Sequence, residues 1–229
     1  MKKKVLITGS NGLLGQKLVK QLLSSDDFEF LATSSGKNRI EKYKDFQYQS
    51  LDITNESQVN EVIDSYKPDV VINTAAMTNV DACESDRVGC WDLNVNAVEY
   101  LFEACEKINA HFIHLSTDFI FDGQDGPYKE EDAPNPLSYY GKSKLAAEQL
   151  LINDDYKNGS IARTIIVYGI GDNMSRSNIV LWAKSALEKG DPLTIVDDHY
   201  RSPTFADDCA RGRLLMATKP ATGLFDLSG

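Results

Sequence analysis

Hydrophobic and polar positions along the chain follow two alternating periods. Short apolar runs bounded by turn residues indicate buried strands, and apolar residues three or four positions apart indicate helices. The pattern predicts strands at residues 4–8, 28–33, 69–73, 111–116 and 161–167, and helices at residues 13–23, 55–66, 91–107, 138–151 and 179–189. Strands that alternate with helices in this way are typical of a parallel sheet covered by helices on both faces.

The predicted fold class is therefore α/β, a Rossmann-type doubly wound parallel sheet. The continuously apolar segments at residues 70–72 and 165–167 agree with strands that are buried on both faces. The strict alternation fades after residue 170. We accordingly expect a main domain at residues 1–169 and a smaller C-terminal region at residues 170–229 that adds no more of the sheet core.

The composition narrows the classes of protein to consider. A chain of 229 residues that is 42% hydrophobic and 25% charged is typical of one folded domain, or one and a half. The net charge of −10 disfavours a nucleic-acid-binding protein, whose contacts are largely with phosphates. No apolar run approaches the roughly 20 residues that span a membrane. We expect a cytoplasmic protein without a membrane partner, and the oligomeric state stays open, with a homodimer among the alternatives.

The cysteines and histidines form no metal-ligating pattern. No two cysteines are spaced C-x-x-C and no histidine pair lies near them, so we expect neither a metal site nor a disulfide framework. His111 and His114 lie three positions apart on a predicted strand and therefore point to opposite faces of the sheet. We expect both histidines to be packing residues.

A glycine loop joins the first predicted strand to the first predicted helix. Gly9 permits a tight turn, Gly12 lets the backbone approach a pyrophosphate, and Gly15 lets the helix pack close to the strand. The free N–H groups and the positive dipole end of the helix N-terminus favour phosphate groups. The residues predicted to bind a nicotinamide dinucleotide here are Gly9, Asn11, Gly12, Leu13, Leu14 and Gly15.

The residues at the end of the second strand bear on the choice between NAD and NADP. An enzyme that prefers NAD usually places Asp or Glu there, for the ribose 2′-hydroxyl. This chain has Ser34, Ser35, Lys37 and Arg39 and no carboxylate in that segment. Since two cations can pair with a 2′-phosphate and no acid repels it, we predict NADP (NADPH) as the cofactor rather than NAD.

Tyr140 and Lys144 lie four positions apart on a predicted helix and therefore share one face. A free tyrosine has a pKa of about 10, too high for easy proton transfer near neutrality. A neighbouring ammonium favours the phenolate, so we expect Lys144 to lower the pKa of Tyr140. Tyr140 could then act as general acid toward a carbonyl oxygen while a hydride arrives from the nicotinamide. Tyr139 has a serine, not a lysine, four positions further on.

Thr117 follows the strand predicted at residues 111–116, at the end where open α/β sheets place their ligands. Its hydroxyl group can donate a hydrogen bond to the substrate oxygen beside Tyr140. We therefore predict Thr117, Tyr140 and Lys144 as catalytic residues.

Several motifs resemble the extended short-chain dehydrogenase/reductase family. The glycines are spaced G-x-x-G-x-x-G, and Ser-Thr-Asp-Phe-Ile-Phe-Asp-Gly at 116–123 and Tyr-Gly-Lys-Ser-Lys at 140–144 resemble the dTDP-4-dehydrorhamnose reductases within it. Further matches at 163–164, 168–169, 202–204 and 225–229 extend the likeness over nearly the whole chain. The resemblance implies NADPH-dependent reduction of the 4-keto group of a nucleotide-linked deoxysugar, the last step in making dTDP-L-rhamnose.

The resemblance also implies roles for other residues. Asp52 and Ile53 look like the pair that contacts adenine, and Ala75 and Ala76 look like the loop that lines the ribose and nicotinamide side. Asn94 matches an asparagine that organises the catalytic site through water. The residues that we assign to the substrate side are Thr117, Asp118, Phe119 and Arg201, and Tyr140 and Lys144 are also assigned to cofactor binding. Residues 1–169 would then be the NAD(P)-binding Rossmann domain and residues 170–229 a partial substrate-binding region.

Some positions depart from the pattern of these reductases. Met77 stands where a tyrosine is common, and His199 stands where a glutamine is common. Both residues lie near the expected substrate side, so the sequence does not identify the sugar of the substrate. Relatives of this kind continue beyond the position of Gly229, which leads us to expect an incomplete substrate-binding region.

Two other functions remain open. Sugar-nucleotide dehydratases on this fold place a glutamate after Thr-Asp to move a proton from carbon, and Phe119 at that position disfavours a dehydratase or epimerase. The regulatory subunit of methionine adenosyltransferase resembles the same family and binds NADP without catalysis. The full set of Thr117, Tyr140 and Lys144 favours an enzyme over such a subunit.

Overall fold

The computed structural model describes residues 2–153, 158–174, 177–219 and 221–228. The strands are β1 (Lys3–Thr8), β2 (Phe28–Ser34), β3 (Gln47–Ser50), β4 (Val70–Asn73), β5 (His111–Thr117), β6 (Gly159–Thr164), β7 (Val167–Tyr168), β8 (Thr204–Phe205) and β9 (Gly223–Asp226). The helices are α1 (Leu13–Leu23), α2 (Glu56–Tyr66), α3 (Val80–Ser85), α4 (Arg87–Trp91), α5 (Ala97–Lys107), α6 (Tyr139–Asn153), α7 (Ile179–Lys189) and α8 (Ala206–Thr218).

Seven strands form one parallel sheet in the order β3-β2-β1-β4-β5-β6-β9. The predicted doubly wound α/β fold is confirmed. The chain first moves outward from β1 to β3 and then returns to place β4 on the other side of β1. In sheets of this kind, ligands bind in the crevice where the strand order reverses, at the carboxyl ends of the strands.

Helices cover both faces of the sheet. Along β1, Leu6 packs into one apolar layer beneath α2, α5 and α6, whereas Val5 and Ile7 pack into the opposite layer beneath α1 and α8. This alternation follows from the two-residue period of a strand. Because both layers are buried, the central strands are held rigidly, and the loops at their carboxyl ends start from fixed positions.

The region after residue 170 departs from expectation, because part of it belongs to the sheet core. Strand β9 pairs with β6, and α8 packs against α1. The buried face of α8 consists largely of small residues, including Ala206, Cys209, Ala210 and Ala217, so the sequence shows no wide stripe of large apolar residues there. The expectation that no sheet core follows residue 170 is therefore wrong.

The strand predicted at residues 161–167 is divided. The main sheet ends this segment at Thr164, and Ile166 adopts a φ of 29°, which few branched side chains adopt. Beyond this turn, Val167 and Tyr168 pair with Thr204 and Phe205 in a separate two-stranded sheet. The apolar run therefore serves two sheets, which periodicity alone does not reveal.

The helix predicted at residues 91–107 is also more complex. It begins at Arg87, where the Asp86 side chain accepts a hydrogen bond from the Gly89 N–H group. Residues Asp92–Asn96 form a π-helical turn before α5 continues. Such turns are rare and are found frequently at functional sites.

None of the helices in the described part of the chain combines the length and the apolar character needed to cross a membrane.

Candidate active site

The glycine loop connects β1 to α1 by a tight turn. Gly9 adopts a φ of 70°, and a Cβ atom there would lie 2.7 Å from the Ala75 backbone nitrogen. A Cβ atom on Gly15 would collide with the Gly9 carbonyl oxygen. The roles predicted for Gly9 in the turn and for Gly15 in close packing are therefore confirmed, whereas the approach of a pyrophosphate to Gly12 stays a prediction.

The N-terminus of α1 carries no side-chain cap. Gly12 occupies the cap position and has no side chain to accept from the first N–H groups of the helix. Leu13, Leu14 and Gly15 line the adjacent cavity. The uncapped N–H groups and the positive end of the helix dipole suit a phosphate group at this position.

Asn11 fixes the backbone of the segment that follows β2. Its Nδ2 donates to the Lys37 carbonyl oxygen at 2.9 Å, and its Oδ1 accepts from the Arg39 N–H group at 2.8 Å. The Tyr48 hydroxyl donates to the Gly36 carbonyl oxygen at 2.7 Å. The backbone is thus ordered while the side chains of Lys37 and Arg39 stay exposed. The sequence did not point to Tyr48, because it lies on the short strand β3.

Gln16 ties a distant loop to this region. Its Oε1 accepts from the Asp172 N–H group at 2.7 Å, and its Nε2 donates to the Asp172 carbonyl oxygen at 2.8 Å. The same Nε2 lies 3.0 Å from the Asn11 carbonyl oxygen. The loop after β7 is therefore held against the glycine loop by one buried amide, a contact that no local sequence rule predicts.

A cavity of about 910 Å³ opens at the carboxyl ends of the central strands. The predicted residues that line it are Gly12, Leu13, Leu14, Gly15, Ala76, Thr117, Phe119, Tyr140 and Lys144. The cavity thus joins the glycine loop to the Tyr140 helix, although these segments lie far apart in sequence.

Other predicted residues lie outside this cavity. Ile53 is buried in the apolar layer, and Ala75 packs against that layer and the Gly9 turn. The exposed Asp52 side chain accepts hydrogen bonds from the N–H and hydroxyl groups of Thr54. Their predicted contacts with adenine and ribose, and those of Ser34, Ser35, Lys37 and Arg39 with a 2′-phosphate, stay predictions.

Tyr140 and Lys144 are both buried on the inner face of α6. The Lys144 Nζ atom donates to the Leu115 carbonyl oxygen at 2.5 Å and lies 3.0 Å from the His114 Nε2 atom. Burial lowers the pKa of Lys144 to about 8. Burial also raises the pKa of Tyr140 well above its ordinary value, and a hydrogen bond with Thr117 opposes that rise. The expectation of a lowered pKa for Tyr140 is wrong for this structure, since desolvation outweighs the hydrogen bond with Thr117.

The residues assigned to the substrate side form a contiguous group. The Thr117 hydroxyl donates to Asp118 Oδ1 and accepts from the Phe119 N–H group, both at 3.2 Å. Arg201 Nη1 lies 2.8 Å from Asp118 Oδ2, and the guanidinium lies 5.2 Å from the centre of the Phe119 ring. Phe119 in turn meets the ring of Tyr140 edge-on at 5.7 Å. The structure therefore brings Arg201 to the strand-end motif from a loop about 80 residues later.

Asn94 lies in the π-helical turn and is fully buried. Its Oδ1 accepts from the Met77 N–H group at 2.8 Å, and its Nδ2 donates to the Met77 carbonyl oxygen and the Ser143 hydroxyl at 3.0 Å each. Its amide therefore holds the loop after β4 against α6. Met77 lines the cavity, so Asn94 shapes the site from behind it, and the predicted role through water is not tested.

Two polar residues were missed or misjudged from the sequence. His114 is more than a packing residue, because it contacts Lys144 as described above. Ser116 lines the cavity, and its buried hydroxyl oxygen lacks a hydrogen-bond partner among the described residues. The available signal was the two-residue period of β5, which places His114 and Ser116 on one face of the strand.

These features fit a bound dinucleotide. A buried hydroxyl without a partner normally has a missing ligand or water. Ser116 supplies such a group in the lining of the cavity, and the uncapped helix N-terminus, whose residues Leu13 and Leu14 also line it, supplies N–H donors.

Residues 2–229 match the family model described as "RmlD substrate binding domain". The chain belongs to this family. It is 38% identical over 222 residues to a dTDP-4-dehydrorhamnose reductase of Aggregatibacter actinomycetemcomitans, which covers 96% of this chain and 69% of that protein. The resemblance inferred from the motifs is thereby confirmed.

Two further proteins similar to this chain have names that describe different kinds of protein, a subunit of an enzyme complex and a reductase. Methionine adenosyltransferase 2 subunit beta of Danio rerio is 32% identical over 209 residues, which are 91% of this chain and 62% of that protein. The crystal structure of dTDP-4-dehydrorhamnose reductase from Bacillus anthracis in complex with NADP superposes with a TM-score of 0.85 at 27% identity. That match covers 100% of this chain and 75% of the other chain.

Proposed function

We propose that the chain is an NAD(P)-dependent oxidoreductase that uses NADPH to reduce the 4-keto group of a nucleotide-linked deoxysugar, dTDP-4-dehydrorhamnose or a close analogue. The observation that carries the proposal is the single cavity that joins the glycine loop to Thr117, Tyr140 and Lys144. The reductase of A. actinomycetemcomitans supports the substrate class, because it is 38% identical over nearly the whole chain.

Several groups of this chain would hold the cofactor. Pyrophosphate would lie on the N–H groups of Leu13 and Leu14, and the exposed side chains of Lys37 and Arg39 would pair with the 2′-phosphate. The NADP complex of the B. anthracis reductase supports this choice of dinucleotide. When bound, NADPH supplies the hydride for the reduction.

Tyr140 would donate its phenolic proton to the carbonyl oxygen as that oxygen gains negative charge. The Tyr140 phenol is protonated at neutral pH, and the hydrogen bond with Thr117, which opposes the rise in its pKa caused by burial, favours release of that proton. The Thr117 hydroxyl would exchange its bond to Asp118 for a second hydrogen bond to the same oxygen. Lys144, four residues after Tyr140, would stabilise the phenolate that remains and would bind the cofactor ribose.

The substrate would extend from this point toward Asp118, Phe119 and Arg201. The ion pair of Arg201 with Asp118 at 2.8 Å gives that side a polar edge. The ring of Phe119, over which the Arg201 guanidinium lies, gives it an apolar face, and both features suit a sugar and its phosphates. We propose that residues 170–203 supply the substrate-binding region, attached to a Rossmann domain that α8 and β9 complete.

One alternative function has support from a relative, and a second is disfavoured by Phe119. The relative named methionine adenosyltransferase 2 subunit beta favours a protein that binds the cofactor as a subunit of a complex. A dehydratase or epimerase would need a proton-accepting residue at position 119, where the ring of Phe119 lies against Tyr140. The first alternative predicts cofactor binding without turnover, and the second predicts no net consumption of NADPH.

The proposal is tested by following NADPH absorbance with dTDP-4-keto-6-deoxyhexose as substrate. We expect turnover by the wild-type chain and a loss of at least about 100-fold in kcat for Tyr140→Phe, since general acid catalysis contributes about 10²–10⁴-fold. NADPH affinity should change little, because the phenyl ring is retained.

Tyr139→Phe is the matched control. Tyr139 precedes Tyr140 on the same helix, but its ring packs against Trp91 and the Arg87 guanidinium, away from the cavity. We expect its activity to be unchanged. Binding of NADPH by the wild-type chain with no turnover would reject the reductase, and full activity of Tyr140→Phe would reject the assigned general acid.

A further inference from the structure

A row of buried polar side chains runs beneath the site from β1 to α6. The Thr8 hydroxyl donates to Asn73 Oδ1 at 2.6 Å, and Asn73 Nδ2 lies 3.2 Å from His114 Nδ1. His114 Nε2 then lies 3.0 Å from Lys144 Nζ. All four side chains are buried, so the hydrogen bonds between neighbours in the row constrain where their polar hydrogens point.

The backbone fixes the orientation of the Asn73 amide. The Ala75 N–H group, which can only donate, lies 3.1 Å from Asn73 Oδ1. Rotating the amide by 180° would turn its NH₂ group toward that N–H group. Asn73 Nδ2 therefore faces His114, and His114 Nδ1 must accept the hydrogen bond.

The proton on His114 follows from this orientation. Burial, and the charge of Lys144 whenever that amine is protonated, keep the pKa of His114 well below its ordinary value, so the ring is neutral and carries one proton. Since Nδ1 accepts from Asn73, that proton lies on Nε2 and points at Lys144. Nζ can accept it only as a neutral amine, because an ammonium group has no lone pair.

We propose that His114 is a positioning residue that donates its Nε2 proton to the neutral amine of Lys144 and thereby opposes protonation of that amine in the protein without cofactor. A neutral amine avoids burying an ammonium group without a counter-ion. When Lys144 is protonated, either two donors meet at Nε2 or the ring must move its proton to Nδ1, where it meets the Asn73 amide.

Other groups around His114 and Lys144 either raise the pKa of Lys144 or are apolar. The charge of Glu148 and the Cys90 thiol raise the pKa of Lys144, and Glu148 is already paired with Arg163 at 2.8 Å. The residue that pairs with His114 from β6 is Ile161, and the ring of Phe112 stacks 6.2 Å from that of His114. Tyr140, one turn before Lys144, is held neutral by burial.

The first test measures the tautomer of His114 directly and does not require activity. Nitrogen-15 NMR of the unliganded wild-type chain at pH 9, with the His114 signals assigned by comparison with His114→Gln, distinguishes the two ring nitrogens. We expect a protonated Nε2 and an unprotonated Nδ1. A proton on Nδ1, or on both nitrogens, would overturn the inference.

The second test measures the consequence for Lys144 and rests on the proposed function. The glutamine in His114→Gln can turn its amide oxygen toward the ammonium group, so the basic limb of the pH profile of kcat/KM for NADPH should move upward by on the order of one pH unit. His111→Gln is the matched control, because His111 lies on the same strand but bonds the Ser160 hydroxyl at 2.8 Å.

The two tests separate the two proposals. If the profiles of His114→Gln and His111→Gln coincide with the wild-type profile, His114 has no influence on Lys144 and the inference fails. If the wild-type chain shows no turnover, the reductase proposal fails, and the tautomer at pH 9 still decides the position of the proton.

Discussion

Lys144 is a buried amine whose near neighbours are a carbonyl oxygen and an imidazole ring. No carboxylate lies within ion-pair distance of it in the described part of the chain. Burial therefore lowers its pKa from 10.5 to about 8. A group whose pKa falls on folding makes the free energy of unfolding depend on pH.

The sign of that dependence gives a prediction. Between pH 8 and 10.5 the unfolded chain keeps the Lys144 proton that the folded chain has lost, so stability rises with pH in this window. Below pH 8 the folded wild-type chain carries the full free-energy cost of burying the Lys144 ammonium group, which is roughly 3 kcal/mol. The hydrogen bonds of Nζ offset part of this cost. Lys144→Met should therefore be more stable than wild type by about 2 kcal/mol at pH 7 in urea unfolding.

The stability advantage of Lys144→Met over the wild-type chain should shrink as the pH approaches 10.5. Lys142→Met is the control, because Lys142 lies exposed on the same helix, and its stability relative to wild type should not vary with pH. A Lys144→Met variant that is less stable than wild type at pH 7 would contradict the interpretation.

Residues whose chemistry depends on local spacing were predictable from the sequence. Tyr140 and Lys144 share a helix face because they lie four positions apart, and Thr117 ends a strand that faces the cavity. The raised pKa of Tyr140 and the contact of His114 with Lys144 were not predictable. Both depend on how deeply α6 is buried against β5, which no short stretch of sequence encodes.

At the scale of elements, the helix that carries Tyr140 and Lys144 is joined to the sheet by one ion pair. The Arg163 guanidinium on β6 donates to both oxygens of Glu148 on α6, at 3.0 and 2.8 Å, and both side chains are almost completely buried. A bidentate pair of this kind fixes the geometry of its two elements. The position of α6 relative to β6 depends on it.

Removing one partner leaves the other charge buried. We expect Arg163→Met to lower the free energy of unfolding by about 3–5 kcal/mol, measured by urea unfolding at pH 7. Lys184→Met is the matched control, since it breaks the exposed pair of Lys184 and Glu188 on α7 at 2.8 Å and should change stability by less than about 0.5 kcal/mol. Equal effects of the two substitutions would show that the buried pair does not anchor α6.

The accuracy of the predicted elements varied with the kind of residue that buries them. The bounds of α1 and α7 were predicted without error, because their apolar residues follow a helical period. Helix α8 was missed since its buried face consists of small residues, and β9 was missed because it is a half-buried edge strand of four residues. Edge strands and small-residue helices carry weak periodicity.

At the scale of the whole molecule, the site is assembled from segments that lie far apart in sequence. The glycine loop, the segment after β2, the loop after β4 and the N-terminal turn of α6 meet only because the strand order reverses beside β1. The fold class, and hence this meeting point, followed from the alternation of strands and helices. The contact of Gln16 with Asp172 did not, because it joins residues 156 positions apart.

A ligand that binds only the assembled site stabilises the whole fold. At a concentration 100 times its dissociation constant, NADPH should add about 2.7 kcal/mol and raise Tm by about 5 °C or more in thermal unfolding. We expect a smaller rise with NADH at the same concentration, because it lacks the 2′-phosphate.

In the double variant Lys37→Ala/Arg39→Ala, most of the difference between the Tm rise with NADPH and the Tm rise with NADH should disappear. Lys189→Ala removes an exposed cation at the end of α7 and should keep this difference. A larger rise with NADH in the wild-type chain would reverse the predicted cofactor preference.

The π-helical turn at Asp92–Asn96 changes the phase of a long helix. Each residue of an α-helix advances by about 100°, so one additional residue in a turn rotates everything that follows by about that angle. Residues before the turn, such as Cys90, pack beside Tyr140, whereas those after it, such as Leu101 and Cys105, pack into the layer with α2. A single inserted residue thus allows one continuous helix to support the candidate site with one part and the apolar core with the other.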